Sequence, residues 1–223
     1  FDLTSLQREG NSRFGFSARN TLGLAQALYE KHKVLTYPRT DSRALPEDYI
    51  ATVKKAMDML SDQREYAPFA KAILKNGWVR PNKRVFDNSK ISDHFAIIPT
   101  LQAPKHLSEP EQKLYDLVVR RFLAVFHPAA EFLQTTRITQ VGEHHFKTDG
   151  RVLQAPGWLA VYGRSVQEET QTLPPITAGE KVDVLEVNAI ANQTKPPARY
   201  TEATLLSAME GAGKLVEDDE LRA

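Results

Sequence analysis

The stretch Val34-Leu35-Thr36-Tyr37-Pro38-Arg39-Thr40-Asp41-Ser42-Arg43 is a short apolar run that ends in a tyrosine, a proline and an arginine. The apolar residues predict a brief strand, and Pro38 ends it because proline has no backbone N–H for a neighbouring strand. A phenol beside a guanidinium suits phosphodiester transesterification, since the phenol can attack phosphorus while the arginine holds the phosphate. A tyrosine in an apolar run is also a common core residue, so both interpretations stand on this stretch alone.

Composition narrows the possible classes of protein. The 223 residues are 41% hydrophobic, which permits a packed core, and the absence of cysteine excludes disulfides, thiol catalysis and cysteine-ligated metals. The net charge of +1 means that any nucleic-acid site must be a local patch. No segment approaches the roughly 18 apolar residues of a membrane helix, and no signal peptide is visible. We therefore expect no membrane partner and a cytoplasmic location.

Apolar periodicity predicts an α+β fold. Four helices are expected in the first 128 residues: from Ser17 to about His32, from Pro46 to about Leu60, around 69–75, and from a capping box at 108–111 to Pro128. Residues 1–16 look short and mixed, with glycines 10 and 15 as breakers. Residues 131–191 are rich in Thr and Val and predict several antiparallel strands. Thr201 is expected to cap a last helix, which Gly211 ends.

Two further segments carry candidate site residues. In Asp93-His94-Phe95-Ala96-Ile97-Ile98-Pro99-Thr100, His94 could bind phosphate or donate a proton, or could simply be hydrogen-bonded at the edge of an element. In 196–203, Arg199 stands just before a helix N-terminus, where free backbone amides can bind phosphate. The same segment could equally be a linker followed by an ordinary capped helix. His144 and His145 would point to opposite faces of a strand, which makes a shared metal improbable.

Together the three segments resemble the signatures of type IA DNA topoisomerases. Residues 35–42 look like the active-site segment, 93–100 like the second signature, and 196–203 like the third, in family order and across essentially the whole chain. Thr36-Tyr37-Pro38-Arg39 and 95–100 are more similar to the bacterial topoisomerase III branch than to topoisomerase I.

The resemblance implies a mechanism and a set of roles. Tyr37 would attack single-stranded DNA and form a 5′-phosphotyrosine link, and religation would reverse the step without ATP. Arg39 would position the scissile phosphate and His94 would assist beside it. Ser42, Arg199 and Thr201 would contact the DNA strand. A helicase or a single-strand binding protein is a possible further partner.

The resemblance also implies a domain division. We expect a helical tyrosine-bearing domain over 14–128, a β-rich arch over 129–195 on which 1–13 could pack, and the start of a helical DNA-gate domain over 196–223. Mg²⁺ would serve the full-length enzyme from a site outside this chain, because no counterpart of the family's acidic metal-binding segment appears here. Both ends look cut, so the sequence predicts a fragment that folds without completing DNA relaxation.

Two alternatives to an enzyme fragment of this family remain. A non-catalytic module that binds single-stranded DNA could use the same scaffold. An unrelated tyrosine-nucleophile enzyme is disfavoured, because a relaxase needs a histidine metal triad that is not visible, and a tyrosine recombinase carries its tyrosine near the C-terminus.

Overall fold

The computed structural model describes residues 1–169 and 173–212, and these form an α+β fold. The elements in chain order are α1 (Leu3–Phe14), α2 (Ala18–Glu30), α3 (Ile50–Ser61), α4 (Ala67–Lys75), α5 (Glu109–Phe126), β1 (Glu131–Val141), β2 (His144–Ala155) and α6 (Glu202–Glu210). Short 3₁₀ helices lie at Glu47–Tyr49 and Asn88–Lys90, and a longer 3₁₀ segment spans Gly157–Glu169 with a break at Gly163. In the described part of the chain, no helix has the length and apolar character needed to cross a membrane.

Helix α5 runs through the middle of the core. It begins at the predicted capping box, where Glu111 accepts a hydrogen bond from the Ser108 amide at 2.8 Å. Leu114, Val119 and Leu123 are fully buried, and α2, α4 and the 3₁₀ segment pack against it. The helical periodicity of apolar residues therefore identified the central element correctly.

The first helix corrects the expectation for residues 1–16. Asp2 caps α1 by accepting from the Ser5 amide, and Gly15 ends it with φ 69°. Gly10 lies inside the helix and does not break it. A Cβ at this position would lie 2.9 Å from the Thr21 hydroxyl oxygen, so any larger residue would clash with α2. Glycine thus permits the close approach of α1 to α2.

Residues 1–13 belong to the helical core, although they were expected to pack on residues 129–195; from that region, the Tyr162 ring centre lies 5.7 Å from the Arg13 guanidinium. The division into domains stays a prediction. Leu6 is fully buried in that core, and the Phe1 carbonyl accepts a hydrogen bond from the Ile97 amide at 2.8 Å. Helix α1 packs against α2 and α6. The fully buried Leu6 side chain gives α1 an apolar contact within the helical unit.

The β-rich region contains one hairpin among the described residues, where several strands were expected. Strands β1 and β2 pair antiparallel from Glu131 opposite Ala155 to Val141 opposite His144. Residues 173–200 adopt no regular secondary structure, although Val182 and Val184 alternate with the polar residues Lys181 and Asp183 as in a strand. Side-chain alternation predicts which faces a strand would have, but a strand also needs a neighbouring backbone to pair with, and the pattern does not specify one.

Candidate active site

The Tyr37 ring is held between two other rings. It lies 4.3 Å from the His94 ring, centroid to centroid, and 5.4 Å from the Tyr29 ring in an edge-to-face contact. Tyr37 is half-buried and His94 is exposed. The structure therefore brings the tyrosine of the first segment together with the histidine of the second, and leaves both accessible from solvent.

Hydrogen bonds through Thr36 hold these two segments side by side. The Thr36 amide donates to the Ile98 carbonyl at 3.0 Å, and the Ile98 amide donates to the Thr36 hydroxyl at 2.9 Å. That hydroxyl also donates to the Ala96 carbonyl at 3.1 Å. The predicted strand is here a single antiparallel bridge between Leu35 and Pro99, because a side chain takes over one of the ladder contacts.

The polar residues after Tyr37 serve to shape the loop. The Thr40 hydroxyl donates to the His94 carbonyl at 2.8 Å, which ties the loop to the histidine. Ser42 is only 4% exposed, and its hydroxyl donates to the Lys90 carbonyl at 2.7 Å while accepting from the Ala44 amide. The Ser42 hydroxyl thus stabilises the loop and is not presented at the surface.

Arg39 and Asp41 differ in what surrounds them. The side chain of Arg39 is exposed, and it forms no ion pair with any carboxylate among the described residues. The Asp41 carboxylate accepts a hydrogen bond from the Ser92 hydroxyl at 3.3 Å and forms no ion pair with Arg39. Arg39 is therefore available to an anion placed beside Tyr37.

A buried pair at the end of α2 fixes the chain that leads to Tyr37. The Nε2 atom of His32 lies 3.1 Å from a carboxylate oxygen of Glu111, and the two side chains are about one-tenth exposed. Hydrogen bonds from the Ser108 hydroxyl and amide, with a smaller contribution from His32, lower the pKa of Glu111 to about 2. The pair therefore connects the C-terminal end of α2 to the first turn of α5. His32 lies three residues before Leu35, which bridges to Pro99.

Tyr29 and Lys33 are site residues that the sequence did not reveal. The Tyr29 ring makes an edge-to-face contact with the Tyr37 ring, and Lys33 Nζ lies 5.7 Å from the Tyr29 ring centre. Lys33 has φ 59°, and its carbonyl accepts from the Thr100 hydroxyl at 2.6 Å. The eight-residue separation between Tyr29 and Tyr37 was the available signal, but it indicates proximity only once the turn between them is known.

The third segment lies at the other end of α2. Thr201 caps α6, and Glu202 accepts a hydrogen bond from the Ala18 amide at 2.5 Å. Ala18 and Tyr29 are about 16 Å apart along the helix, at roughly 1.5 Å per residue. The structure therefore leaves the exposed side chains of Arg199 and Thr201 away from Tyr37.

The residues present do not form a metal site in the part of the chain that the structure describes. No cluster of three or more His, Asp or Glu side chains there could hold an ion. His144 and His145 are adjacent residues of β2, both exposed, and neither joins such a cluster. The functional groups of the candidate site are therefore the Tyr37 phenol, the His94 imidazole and the Arg39 guanidinium.

The chain is similar in sequence to known DNA topoisomerases. A family model described as DNA topoisomerase matches residues 1–213. DNA topoisomerase 3 of Bacillus licheniformis is 44% identical over 227 aligned residues, covering 99% of this chain and 31% of that protein. The enzyme of Bacillus subtilis with the same name is 42% identical over 228 residues, with the same coverage. The chain thus spans about a third of the length of these relatives.

A solved structure agrees with the sequence relatives. Full-length topoisomerase I from Thermotoga maritima superposes with a TM-score of 0.66 at 25% identity. The match covers 96% of this chain and 34% of that one.

Proposed function

Because the chain belongs to the type IA DNA topoisomerases, on the topoisomerase III side of the family, we propose that it carries the nucleophile of an enzyme that cleaves and rejoins single-stranded DNA. One observation carries the proposal: the Tyr37 phenol sits against His94 in a loop held by hydrogen bonds, with the exposed Arg39 two residues away. These are the groups that attack, hold and protonate a phosphodiester.

The proposed reaction is a transesterification at phosphorus. The Tyr37 oxygen forms a bond to phosphorus and the bond from phosphorus to the 3′ oxygen breaks. The phenolic proton leaves to a base, and the departing 3′ oxygen takes up a proton, which gives a 5′-phosphotyrosine and a free 3′-hydroxyl. One phosphate ester replaces another, so the reverse step rejoins the strand without ATP.

Arg39 and His94 are proposed to act on the same phosphate. Arg39 has no competing carboxylate among the described residues, so its guanidinium can bind the non-bridging oxygens and balance the charge that develops during attack. His94 contacts the nucleophile's ring, and an imidazole at that place can hold the phosphate or hand a proton to the leaving oxygen. Ser42 supports this loop from beneath.

Arg199 and Thr201 are proposed to bind the DNA strand at a distance from the cleavage point. The separation of about 16 Å along α2 corresponds to roughly five nucleotides at the B-form spacing of 3.4 Å per strand, and to fewer nucleotides in an extended single strand. Arg199 would pair with backbone phosphates, and the α6 N-terminus that Thr201 caps offers amides of the kind that bind them.

The proposed reaction also involves magnesium and partner proteins. No group of three or more His, Asp or Glu side chains among the described residues could hold Mg²⁺, so we propose that other parts of the complete enzyme bind the ion. The proposed substrate is single-stranded DNA in the cytoplasm, where a helicase or a single-strand binding protein would expose it.

Labelled oligonucleotides test the proposal. The chain, alone and within the complete gene product that carries it, is incubated with 5′-labelled and 3′-labelled single-stranded DNA and then denatured. We expect the label from the 3′ side of the break to stay with the protein, since Tyr37 holds the 5′ phosphate. Tyr37→Phe should abolish the adduct, and the matched variant Tyr49→Phe should retain it.

The same experiment separates the enzyme from a binding module. DNA binding without an adduct, equal in wild type and in Tyr37→Phe, would support a non-catalytic module that uses this scaffold. Label from the 5′ side of the break on the protein would contradict the proposed polarity. Far-UV circular dichroism of each variant confirms that the fold is retained.

A further inference from the structure

Two neighbouring cavities form a groove on the side of the molecule where α1 meets α5. One cavity has a volume of about 540 Å³ and is lined by residues of α1, α5 and the 3₁₀ segment, and the other, of about 390 Å³, lies between α1 and α6. Glu9 and Arg121 line both cavities, so the two cavities adjoin. Tyr37, Arg39 and His94 line neither cavity.

The larger cavity presents aromatic surface. Trp158 is 42% exposed, and its ring lies 5.9 Å from that of Tyr162 in an edge-to-face contact. Val125 adds apolar surface and is 47% exposed. Flat aromatic and apolar faces open to solvent are the surfaces on which nucleobases stack.

This aromatic surface stands on a fixed base. The Trp158 amide donates to the Pro128 carbonyl at 2.9 Å, and the Arg120 guanidinium donates to the Val161 carbonyl at 2.8 Å. Leu159 and Val161 are buried against α5. A rigid platform loses little conformational entropy when a ligand stacks on it.

The groove carries an excess of positive charge. Arg13 and Arg121 both pair with Glu9, at 2.6 and 3.2 Å, so one carboxylate faces two guanidinium groups. Arg13 also lies 5.7 Å from the Tyr162 ring centre. Arg8 and Arg43 line the second cavity, where their carboxylate partners are Glu210 and Asp2. A polyanion would meet a surplus guanidinium beside the aromatic platform.

The groove connects segments that already belong to the proposed DNA path. Arg43 ends the segment that contains Tyr37, and Ala203 and Thr204 lie in the first turn of α6. The larger cavity continues from there towards Trp158. A strand that leaves the third segment can therefore follow this groove to the base of the hairpin.

From this geometry we propose that the groove binds single-stranded DNA, with an unpaired base stacked on the Trp158 ring beside Tyr162 and its phosphates beside Arg13 and Arg121. The inference rests on the proposed function for the identity of the polyanion. Single-stranded DNA fits better than a duplex, because stacking on Trp158 needs a base face that is not already covered. The site would extend the hold on the substrate beyond the cleavage point.

Intrinsic fluorescence tests the site directly, because the sequence has only two tryptophans. In a Trp78→Phe background the emission comes from Trp158 alone. Titration with oligo-dT of twelve nucleotides at low salt should quench this emission saturably, and duplex DNA of equal length should quench it much less. Unchanged Trp158 emission at oligonucleotide concentrations that yield the Tyr37 adduct would overturn the inference while leaving the proposed function intact.

Variants give a second, independent readout. Trp158→Ala should weaken oligo-dT binding by about 5- to 150-fold, the range for losing one stacked base, and Trp158→Phe should bind nearly as well as wild type. Arg121→Gln should lower the slope of log Kd against log salt by about 0.7, whereas the exposed Arg64→Gln should not change it. Equal affinity for wild type and Trp158→Ala would contradict the site. Quenching without any Tyr37 adduct would support the groove and count against the nucleophile.

Discussion

Replacing Thr36 with valine should loosen the contact between the segment of Tyr37 and the segment of His94 without changing the shape of the side chain. Its hydroxyl donates to the Ala96 carbonyl at 3.1 Å and accepts from the Ile98 amide at 2.9 Å. Ala96 and Ile98 are 3% and 6% exposed, so water cannot readily replace either bond. In Thr36→Val both backbone groups lose their partner.

The expected cost follows from these two groups. A buried donor or acceptor left without a partner costs about 1–3 kcal/mol, so the loss of both partners in Thr36→Val should lower the free energy of unfolding by roughly 2–6 kcal/mol. For a chain of this size that corresponds to a fall in Tm of roughly 4–24 °C. Tyr37 adduct formation should slow as well, since Thr36 precedes Tyr37 and ties it to the segment of His94.

Urea unfolding followed by circular dichroism measures this cost, and the oligonucleotide assay measures the adduct. Thr36→Ser keeps the hydroxyl and should lose at most about 1 kcal/mol, while the exposed Thr135→Val should be nearly neutral. If Thr36→Val unfolds at the wild-type urea concentration and forms the adduct at the wild-type rate, the hydroxyl does not hold the two segments together and the reasoning fails.

Three further results are expected. Hydrogen bonds from Ser108 hold the pKa of Glu111 at about 2, below its ordinary 4.5, so the ionised carboxylate stabilises the fold above pH 4.5 and this contribution is lost as the pH falls towards 2. Glu111→Gln should therefore flatten the pH dependence of the unfolding free energy over that range, and an unchanged slope would contradict the assignment. Gly157→Ala should lower the free energy of unfolding by more than about 2 kcal/mol, because φ is 48° and the new Cβ would lie 2.3 Å from the Ala129 carbonyl oxygen. Gly142→Ala, where φ is 61° but the space around the glycine is open, should lower it by only about 1–2 kcal/mol. Equal losses of unfolding free energy in the two variants would refute the steric explanation. The chain alone should not relax supercoiled plasmid in the presence of Mg²⁺. Robust relaxation on an agarose gel would contradict this expectation.

The helical part of the fold was predictable because its signals are local. The predicted N-terminal caps of α2, α5 and α6 are the observed ones: Ser17, Ser108 and Thr201. Capping and apolar periodicity depend on residues within one or two turns, so a single sequence contains them. Gly10 was misread because its role depends on Thr21, which only the packing of α1 on α2 brings near.

The β-rich region shows where local pattern is insufficient. Val182 and Val184 have the alternation of a strand but pair with no neighbouring strand in the described part of the chain. Strand formation depends on a second segment that can be far away in sequence, whereas helix formation does not.

The candidate site was predictable in its residue types and not in its geometry. The segments of Tyr37 and His94 were found by their motifs, and the structure brings their rings to 4.3 Å. Tyr29 was missed because its contact depends on the turn at Lys33. Ser42 matched the motif, but its buried hydroxyl is used within the loop, which no sequence pattern distinguishes from an exposed one.

The central claim is that Tyr37 is the residue that becomes covalently bound to DNA. The most direct measurement traps the denatured complex with single-stranded DNA, digests protein and DNA, and locates the remaining nucleotide by mass spectrometry. The account predicts a 5′-phosphate ester on the Tyr37 oxygen, within the peptide that contains Pro38 and Arg39. A nucleotide on another residue, or an adduct that persists in Tyr37→Phe, would contradict it.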